Sequence, residues 1–459
     1  MSENSQIGIS RKQKVFCLTE DTFGTLQFPN ATNDFIRAAG DAIINQNPAF
    51  NDSLEKQNTL DVLDRFQSTL PAALWSIPMY IRPTGTVGES PQGHSLFRSL
   101  QGSLNASTAA SIDTDPGATV GTIVIKTIAG GTLPEIGVVT VGTESIKYTS
   151  ITRASRDATT ATLLNCERGY ASSSAASHSS TATVTLSSVF YKQTVKSPSM
   201  SLWIETDHFI QGLKGASVDE AIIEVTNEGA VMITFSGQGM EMVFAGTTAL
   251  SSSNAATNTH IHVTDASLFS AGAHVYNETK ASTNATITSV DRTGNILHLA
   301  HATGAIWTTG DVIKGFLPAV VDVIGDPIES RDTVLEISGV TGVIKSGSIS
   351  IKSPKTYLID EVGLGVPSDF MEEVRDISSS MKVYFRKAAA KYFADGLAGD
   401  TNTMRFTFGD TAGSILELYF PKVVLEVPAI EFAAPAVELS LPMKALGTVG
   451  EDSCEIVLC

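Results

Sequence analysis

The sequence predicts a mainly β protein with one or two short helices, on three observations. Apolar residues alternate with small polar ones over many short stretches, the period of a strand with one covered face. These stretches are bounded by Gly, Asn and Ser, the residues of tight turns. Only 17% of residues are charged while 42% are hydrophobic, against roughly 25% charged in ordinary soluble domains. Ser, Thr, Ala and Gly fill the difference, a composition common in subunits that bury surface in an assembly.

The 459 residues suggest about three domains. Residues 1–14 are polar, lack the apolar stretch of a secretory signal, and read as a flexible N-terminal arm. Synthesis in a cytosol follows. No run of about 18 apolar residues occurs, so no membrane span and no membrane partner is expected. From Val15 onward short apolar segments alternate with turns. Ala73–Pro83 reads as extended, because Pro78 and Pro83 exclude a helix. Pro91 then opens a helical stretch with Leu96, Phe97 and Leu100 on one face and Gly102 as its C-cap. A small-polar linker follows, from Asn105 to Gly121.

Two later segments, 120–186 and 256–318, resemble one another. Each runs through a short strand, a G-x-x-V strand with a nearby Glu, an I-T-S-V-like strand ending near Arg, and a final hairpin. The pairs are Thr122–Lys126 with His260–Thr264, Gly137–Glu144 with Gly272–Glu278, and Tyr148–Arg153 with Ile287–Arg292. Such strands indicate two inserted small β-barrel-like modules, most simply a duplication. The core is then discontinuous: 15–119, 187–255 and 319–459. Within it, Asp219, Ala221, Ile223 and Val225 fall on one face of a strand. Val218, Glu220, Ile222, Glu224 and Thr226 fall on the other. Asn227-Glu228-Gly229 is a turn before Val231, Ile233 and Phe235, so the pair reads as a hairpin. Further alternation marks strands near Val383, Leu416–Phe420, Val423–Val427 and Val437–Leu441, interrupted by a short helix near 386–395.

The net charge is −17, from 31 Lys and Arg against 48 Asp and Glu. This argues against tight nucleic-acid binding, which sets cations against phosphates. Segment 120–186 holds five basic and four acidic side chains, and 256–318 holds three and four. The inserts therefore sum to zero and the whole −17 belongs to the core.

No P-loop, HExxH, GxSxG or GxGxxG appears. Gly237-Gln-Gly239 and Gly363-Leu-Gly365 read as turns or bulges. The adjacent carboxylates Asp219-Glu220, Glu372-Glu373 and Glu451-Asp452 face opposite ways on a strand, which disfavours a catalytic dyad. Five of the eight histidines lie in the second insert: His260, His262, His274, His298 and His301. His260 and His262 share a strand face, and with His298 or Glu278 they have the chemistry to hold a divalent metal. No spacing matches a known metal motif, so ordinary surface histidines, no metal and no cofactor are the expectation. The four cysteines form no CxxC pair. They read either as reduced thiols or, for Cys454 and Cys459, as an intersubunit disulfide. A terminal thiol is mobile and can reach a neighbour once a particle leaves the cell.

Ser197-Pro-Ser-Met-Ser-Leu-Trp-Ile-Glu205, then Gln211–Asp219 and the hairpin to Ser236-Gly237, resemble bacteriophage major tail tube proteins. Further matches keep their order: Glu20-Asp-Thr-Phe-Gly24, Trp75–Pro83 with the Pro91 helix, Met381–Arg386 with Tyr392-Phe393, Leu418–Lys422, and Glu451-Asp452. The resemblance implies a β-barrel or β-sandwich tube core that forms hexameric rings, stacked into a tube that conducts viral DNA during ejection. It also implies a structural protein and no enzyme, made in the host bacterial cytoplasm and resident in the virion tail. Its partners would be further copies of itself, the tape measure, the terminator or baseplate and, in a contractile tail, the sheath. Outward inserts compete with a sheath for space, which favours a noncontractile tail. DNA would pass without being held, along an acidic lumen to which Glu220, Glu224 and Glu372 are candidate contributors. The alternative is a baseplate or virion surface protein, or a carbohydrate-binding adhesin using the two modules.

Overall fold

The computed structural model describes residues 10–459 except 57–58, 106–108, 115, 129–132, 156–157, 208, 322–324, 387–389 and 434–435. Among the described residues strand accounts for 48% and helix for 6%, with two α-helices and several antiparallel sheets. Of the arm, 1–9 lie outside the described residues. Ser10–Lys12 form a 3-10 turn and Lys14 already starts a strand.

The core is organised by one strand, Phe209–Val225, which spans 17 residues and serves two sheets in turn. Its first half lies between Met200–Thr206 and Glu241–Ala245, in a sheet completed by Lys14–Thr19 and Phe35–Ile36. Its second half lies between Met232–Gly239 and Ile344–Lys352. The handover falls at Gly215, with φ +61°, a conformation that favours glycine, and at a bulge between Val218 and Glu220. A bulge sets two residues against one and resets the alternation. Val218, which strict alternation puts beside Glu220, is therefore buried with Ala221 and Ile223.

From this strand the sheet widens by antiparallel pairing. Its order is Ile43–Asn45, Ala73–Tyr80, Met232–Gly239, Phe209–Val225, Ile344–Lys352, Asp376–Tyr384 and Ala436–Leu446. Lys422–Leu425 joins it to a second layer. That layer runs Thr333–Ile337, Thr401–Phe408, Leu416–Leu425, Glu455–Leu458, Val189–Gln193 and Gly102–Asn105. Ile77, Ile223, Phe235, Ile349 and Met381 from the first layer and Leu335, Phe406, Leu418 and Phe420 from the second share one buried cluster. Of the two architectures expected, the sandwich is therefore the better description, and the described residues form no closed barrel. A barrel requires both edges of a sheet to pair, and here Ile43–Asn45 ends one side.

The helix expected after Pro91 is α1, His94–Gln101, closed by Gly102, whose N–H reaches the Arg98 carbonyl. Leu96, Phe97 and Leu100 are buried. Phe97 stands edge-on to Phe235 at 5.1 Å and stacks on Tyr191 at 5.5 Å. The second helix, α2, is Ala390–Ala398; 387–389 of the expected 386–395 lie outside the described residues.

Both inserts begin earlier than their sequences suggest. The first gains Ala109–Ile112 and the second Thr247–Ala249, each the partner of its unit's last strand. Moving Asp113 and Asp115 with the first leaves the inserts at −1 each and the rest at −15. The first insert comprises Ala109–Ile112, Ile123–Lys126, Gly137–Val141, Glu144–Tyr148 with Ser150–Thr152, Thr160–Leu164 with Glu167–Tyr170, and Thr183–Leu186. The second comprises Thr247–Ala249, His260–His262, His274–Asn277, Ala285–Asp291, Ile296–Leu299 and Val312–Gly315. In both, the second strand pairs with the fifth, the fifth with the fourth, the fourth with the third, the third with the sixth, and the sixth with the first. First and second also meet in both, by pairing in one and by a Leu250–Val263 bridge in the other. Identical pairing order is what duplication produces. Neither unit is a continuous barrel: the fourth and fifth strands of the first are broken, and one bridge alone joins the first two strands of the second.

The units are not loose appendages. The apolar cluster of the first insert includes Phe190, Ile415, Val457 and Cys459 of the core. That of the second includes Phe16, Trp203, Ile210 and Val243.

Candidate lumen-facing sheet

The sheet order gives the first layer one apolar and one polar face. Three rows of paired residues cross the polar side. One runs Ser76, Ser236, Glu220, Lys352, Asp376. The next runs Pro78, Thr234, Ile222, Ser350, Ser378, Lys444. The third runs Tyr80, Met232, Glu224, Ser348, Ser380, Pro442. Seven of these seventeen residues are serine or threonine.

The acidic expectation for this face is corrected by the lysines that neighbouring strands contribute. Glu220 accepts a hydrogen bond from Ser350 Oγ at 2.7 Å and lies 3.5 Å from Lys352. Asp376 pairs with Lys444 at 2.9 Å and Glu431 with Lys382 at 2.8 Å. Glu438 pairs with Lys345. Glu224 is exposed and has no ion partner among the described residues. Five carboxylates thus meet four lysines, and the face is close to neutral. Cross-strand attraction accounts for this; reading one strand at a time counts its carboxylates and misses the lysines opposite.

Glu372, the third candidate, lies away from this face in a buried polar junction. It accepts from Ser197 N–H at 2.8 Å and Ser353 Oγ at 3.3 Å, and lies 3.6 Å from Lys355 Nζ. The Lys355 side chain is wholly buried and also donates to the Val218 carbonyl. Burial pushes its pKa down to about 8, against the opposing pull of Glu372 and Asp219. Burial likewise raises Asp219 to about 6, although Gln238 and Lys355 favour its charged form. Tyr357 Oη donates to the Gly215 carbonyl at 2.6 Å.

Beside this junction lies Glu20, which enters the sequence reading only within the Glu20–Gly24 match. Its carboxylate accepts from Ser199 Oγ at 2.7 Å, Ser201 Oγ at 2.9 Å, Gly215 N–H at 2.8 Å and Gly24 N–H at 2.9 Å. The Glu20–Gly24 turn and the Ser197–Glu205 segment, remote in sequence, therefore lock together at the point where the long strand changes sheets. The signal is present in the sequence: a Glu four residues before a Gly, and serines spaced by two on an otherwise apolar strand.

Cys454 and Cys459 also depart from expectation. Each is 1% exposed, and all four cysteines are free. Cys459 exchanges backbone hydrogen bonds with Ile415 and Gly413 and packs into the first insert's core. Burial pushes its thiol up to about 12 and that of Cys454 higher still. The terminus is a clamped strand with no mobile thiol to offer a neighbour.

A cavity of about 540 Å³ is lined by Cys17, Asp34, Gln92 and His94 among others. Nucleophilic chemistry needs a thiolate. Burial raises the Cys17 thiol well above its ordinary value and lowers His94 to about 4, while His94 Nδ1 is engaged with Tyr191 Oη at 2.8 Å. Among the described residues no helix is long and apolar enough to cross a membrane. No protein-family model matches the chain, and a search of curated proteins finds no significant relative.

Proposed function

We propose that the chain is a structural subunit of a bacteriophage tail tube, assembling into stacked rings with the polar face of the seven-strand sheet turned to the lumen. The observation that carries this reading is the face itself: broad, Ser/Thr-rich, with its charges paired across strands. DNA carries about one charge per 1.7 Å. A wall without unpaired cations gives phosphates nothing to hold, and paired lysines leave little net repulsion. Passage then depends on a neutral, hydroxyl-rich surface rather than on an acidic one.

Two further features support the reading. The segments that resemble tube proteins converge on one junction, through Glu20, Ser199 and Ser201. The inserts are anchored by apolar clusters distinct from the sandwich core, so they extend the subunit without interrupting the polar sheet. Ring closure needs heterologous contacts between unlike surfaces of one chain. Negative-stain microscopy of the purified protein tests the proposal. Hexameric rings or hollow tubes are expected; a monomer at high concentration, or finite rings that never stack, sinks it.

A further inference from the structure

The second insert gathers three imidazoles on its outer face. His260 and His262 are two apart on one strand and leave the sheet on the same side. Antiparallel pairing sets His298 opposite His260. The alternate positions Ile261 and Leu297 are fully buried, which fixes the three histidines on the outer side. The His260 ring centroid lies 5.8 Å from that of His262 and 6.3 Å from that of His298.

Other histidines are engaged in structure. His94 meets Tyr191, His178 meets Glu144, and His274 meets Asn284 and Thr286. The three on this face have no hydrogen-bond or ion-pair partner among the described residues.

We propose that His260, His262 and His298 form a surface site for a borderline divalent transition ion such as zinc, nickel or copper, with His260 the ligand shared by both neighbours. Imidazole nitrogen suits these ions, and three imidazoles leave a fourth position open to water or to a ligand from another molecule. As the side chains stand, no three ligating groups among the described residues converge on one point. The site is completed on binding. Paired residues on adjacent strands have Cβ atoms about 4.5–5.5 Å apart, and metal–nitrogen bonds of about 2.0–2.1 Å are reached by turning χ1 and χ2 of the exposed His260 and His298 and the half-buried His262 between staggered wells. The backbone need not move. The inference is independent of the tube reading, since it concerns an insert outside the polar sheet.

Calorimetric titration of the tag-free, full-length protein with zinc, nickel and copper in turn tests it. Saturable binding of one ion per chain is expected for at least one of them. His260→Ala should weaken it by about tenfold or more, with smaller losses for His262→Ala and His298→Ala and none for His301→Ala, which lies outside the trio. Acidification should weaken binding, because protons compete for the ring nitrogens. The same ion should shift the ring resonances of these three histidines in NMR spectra. No saturable binding of any of the three ions, or binding that survives His260→Ala in a protein with unchanged circular dichroism, overturns the proposal.

Discussion

Lys147 of the first insert lies 3.7 Å from Glu417 of the core, in a contact where the Glu417 side chain is fully buried and that of Lys147 is 10% exposed. Glu417 also accepts two hydrogen bonds from Arg405, at 3.0 and 2.9 Å, and one from Thr407 at 2.6 Å. One carboxylate thus balances a cation from each unit. Glu417→Ala leaves both cations without their shared anion in a dry contact, and should cost about 3–5 kcal/mol. Lys147→Met keeps the Arg405 pair and replaces the lysine stem, and should cost far less. Urea unfolding of the two variants checks the order. Equal losses would show that the bridge between insert and core, rather than the stranded charge, sets the penalty.

Glu144 plays the matching role inside the first insert. It accepts a bidentate pair from Arg168 at 2.8 and 2.9 Å, backbone N–H bonds from Gly169 and Ala176, and a contact with His178 Nε2 at 2.6 Å. Burial alone would raise its pKa, but these partners bring it down to about 2, from 4.5. A carboxylate depressed on folding stabilises above its unfolded pKa, and the contribution disappears as pH falls through the folded one. The insert should therefore lose protection between pH about 4.5 and 2. Amide exchange across 109–186, corrected for intrinsic rates, measures this. Glu144→Gln should begin less protected at neutral pH and lack that acid step; a step of unchanged size in the variant assigns the acid sensitivity elsewhere.

Much of this fold is legible in the alternation of residues, and the misses have local causes. The hairpin around Asn227-Glu228-Gly229, α1 and the kinship of the inserts follow from turn chemistry and periodicity. Val218 falls on the wrong face because a bulge is invisible to a period-two reading. The insert boundaries come late because Ala109–Ile112 and Thr247–Ala249 are recognisable as strands only through their partners Thr183–Leu186 and Val312–Gly315. Glu220 and Glu224 do share one strand face, as alternation predicts. The lysine beside Glu220, Lys352, arrives from a strand more than a hundred residues away, a register that no local pattern encodes. Cys459 reads as mobile because it ends the chain, yet termini order when a strand pairs on both sides, as Glu455–Leu458 does.

Lys355 gives an alkaline prediction of the same sign as the acid one of Glu144, with stability rising as pH rises. Its pKa is lowered on folding to about 8 from 10.5. Across that interval the unfolded chain binds the extra proton, so the contribution of this residue to stability rises with pH. Relative to Lys355→Met, the wild type should gain about 3 kcal/mol between pH 8 and 10.5, since each tenfold difference in proton affinity between the folded and unfolded chain is worth about 1.36 kcal/mol. Other groups titrating in this range are common to both proteins and cancel in the difference. Urea unfolding at several pH values supplies that difference. A flat one would place the Lys355 ammonium in water in the native state, contrary to its full burial.

Ser380 sits exposed on the polar sheet face, paired between Ser348 and Pro442, and its accessibility separates an inner wall from an outer one. Cys17, Cys454 and Cys459 are buried and Cys166 is half-buried, so the native thiol background should be low and no disulfide-linked multimer should form under oxidising conditions. Ser380→Cys should then react readily with a bulky maleimide polymer in the unassembled subunit and become protected in assembled tubes. Ser174→Cys, exposed on the first insert, should stay reactive in both states. Loss of reactivity at 174 with retention at 380 would turn the subunit inside out and place the inserts in the channel. Protection at both would make each face part of a subunit contact. Only protection confined to 380 agrees with a polar sheet that lines the tube.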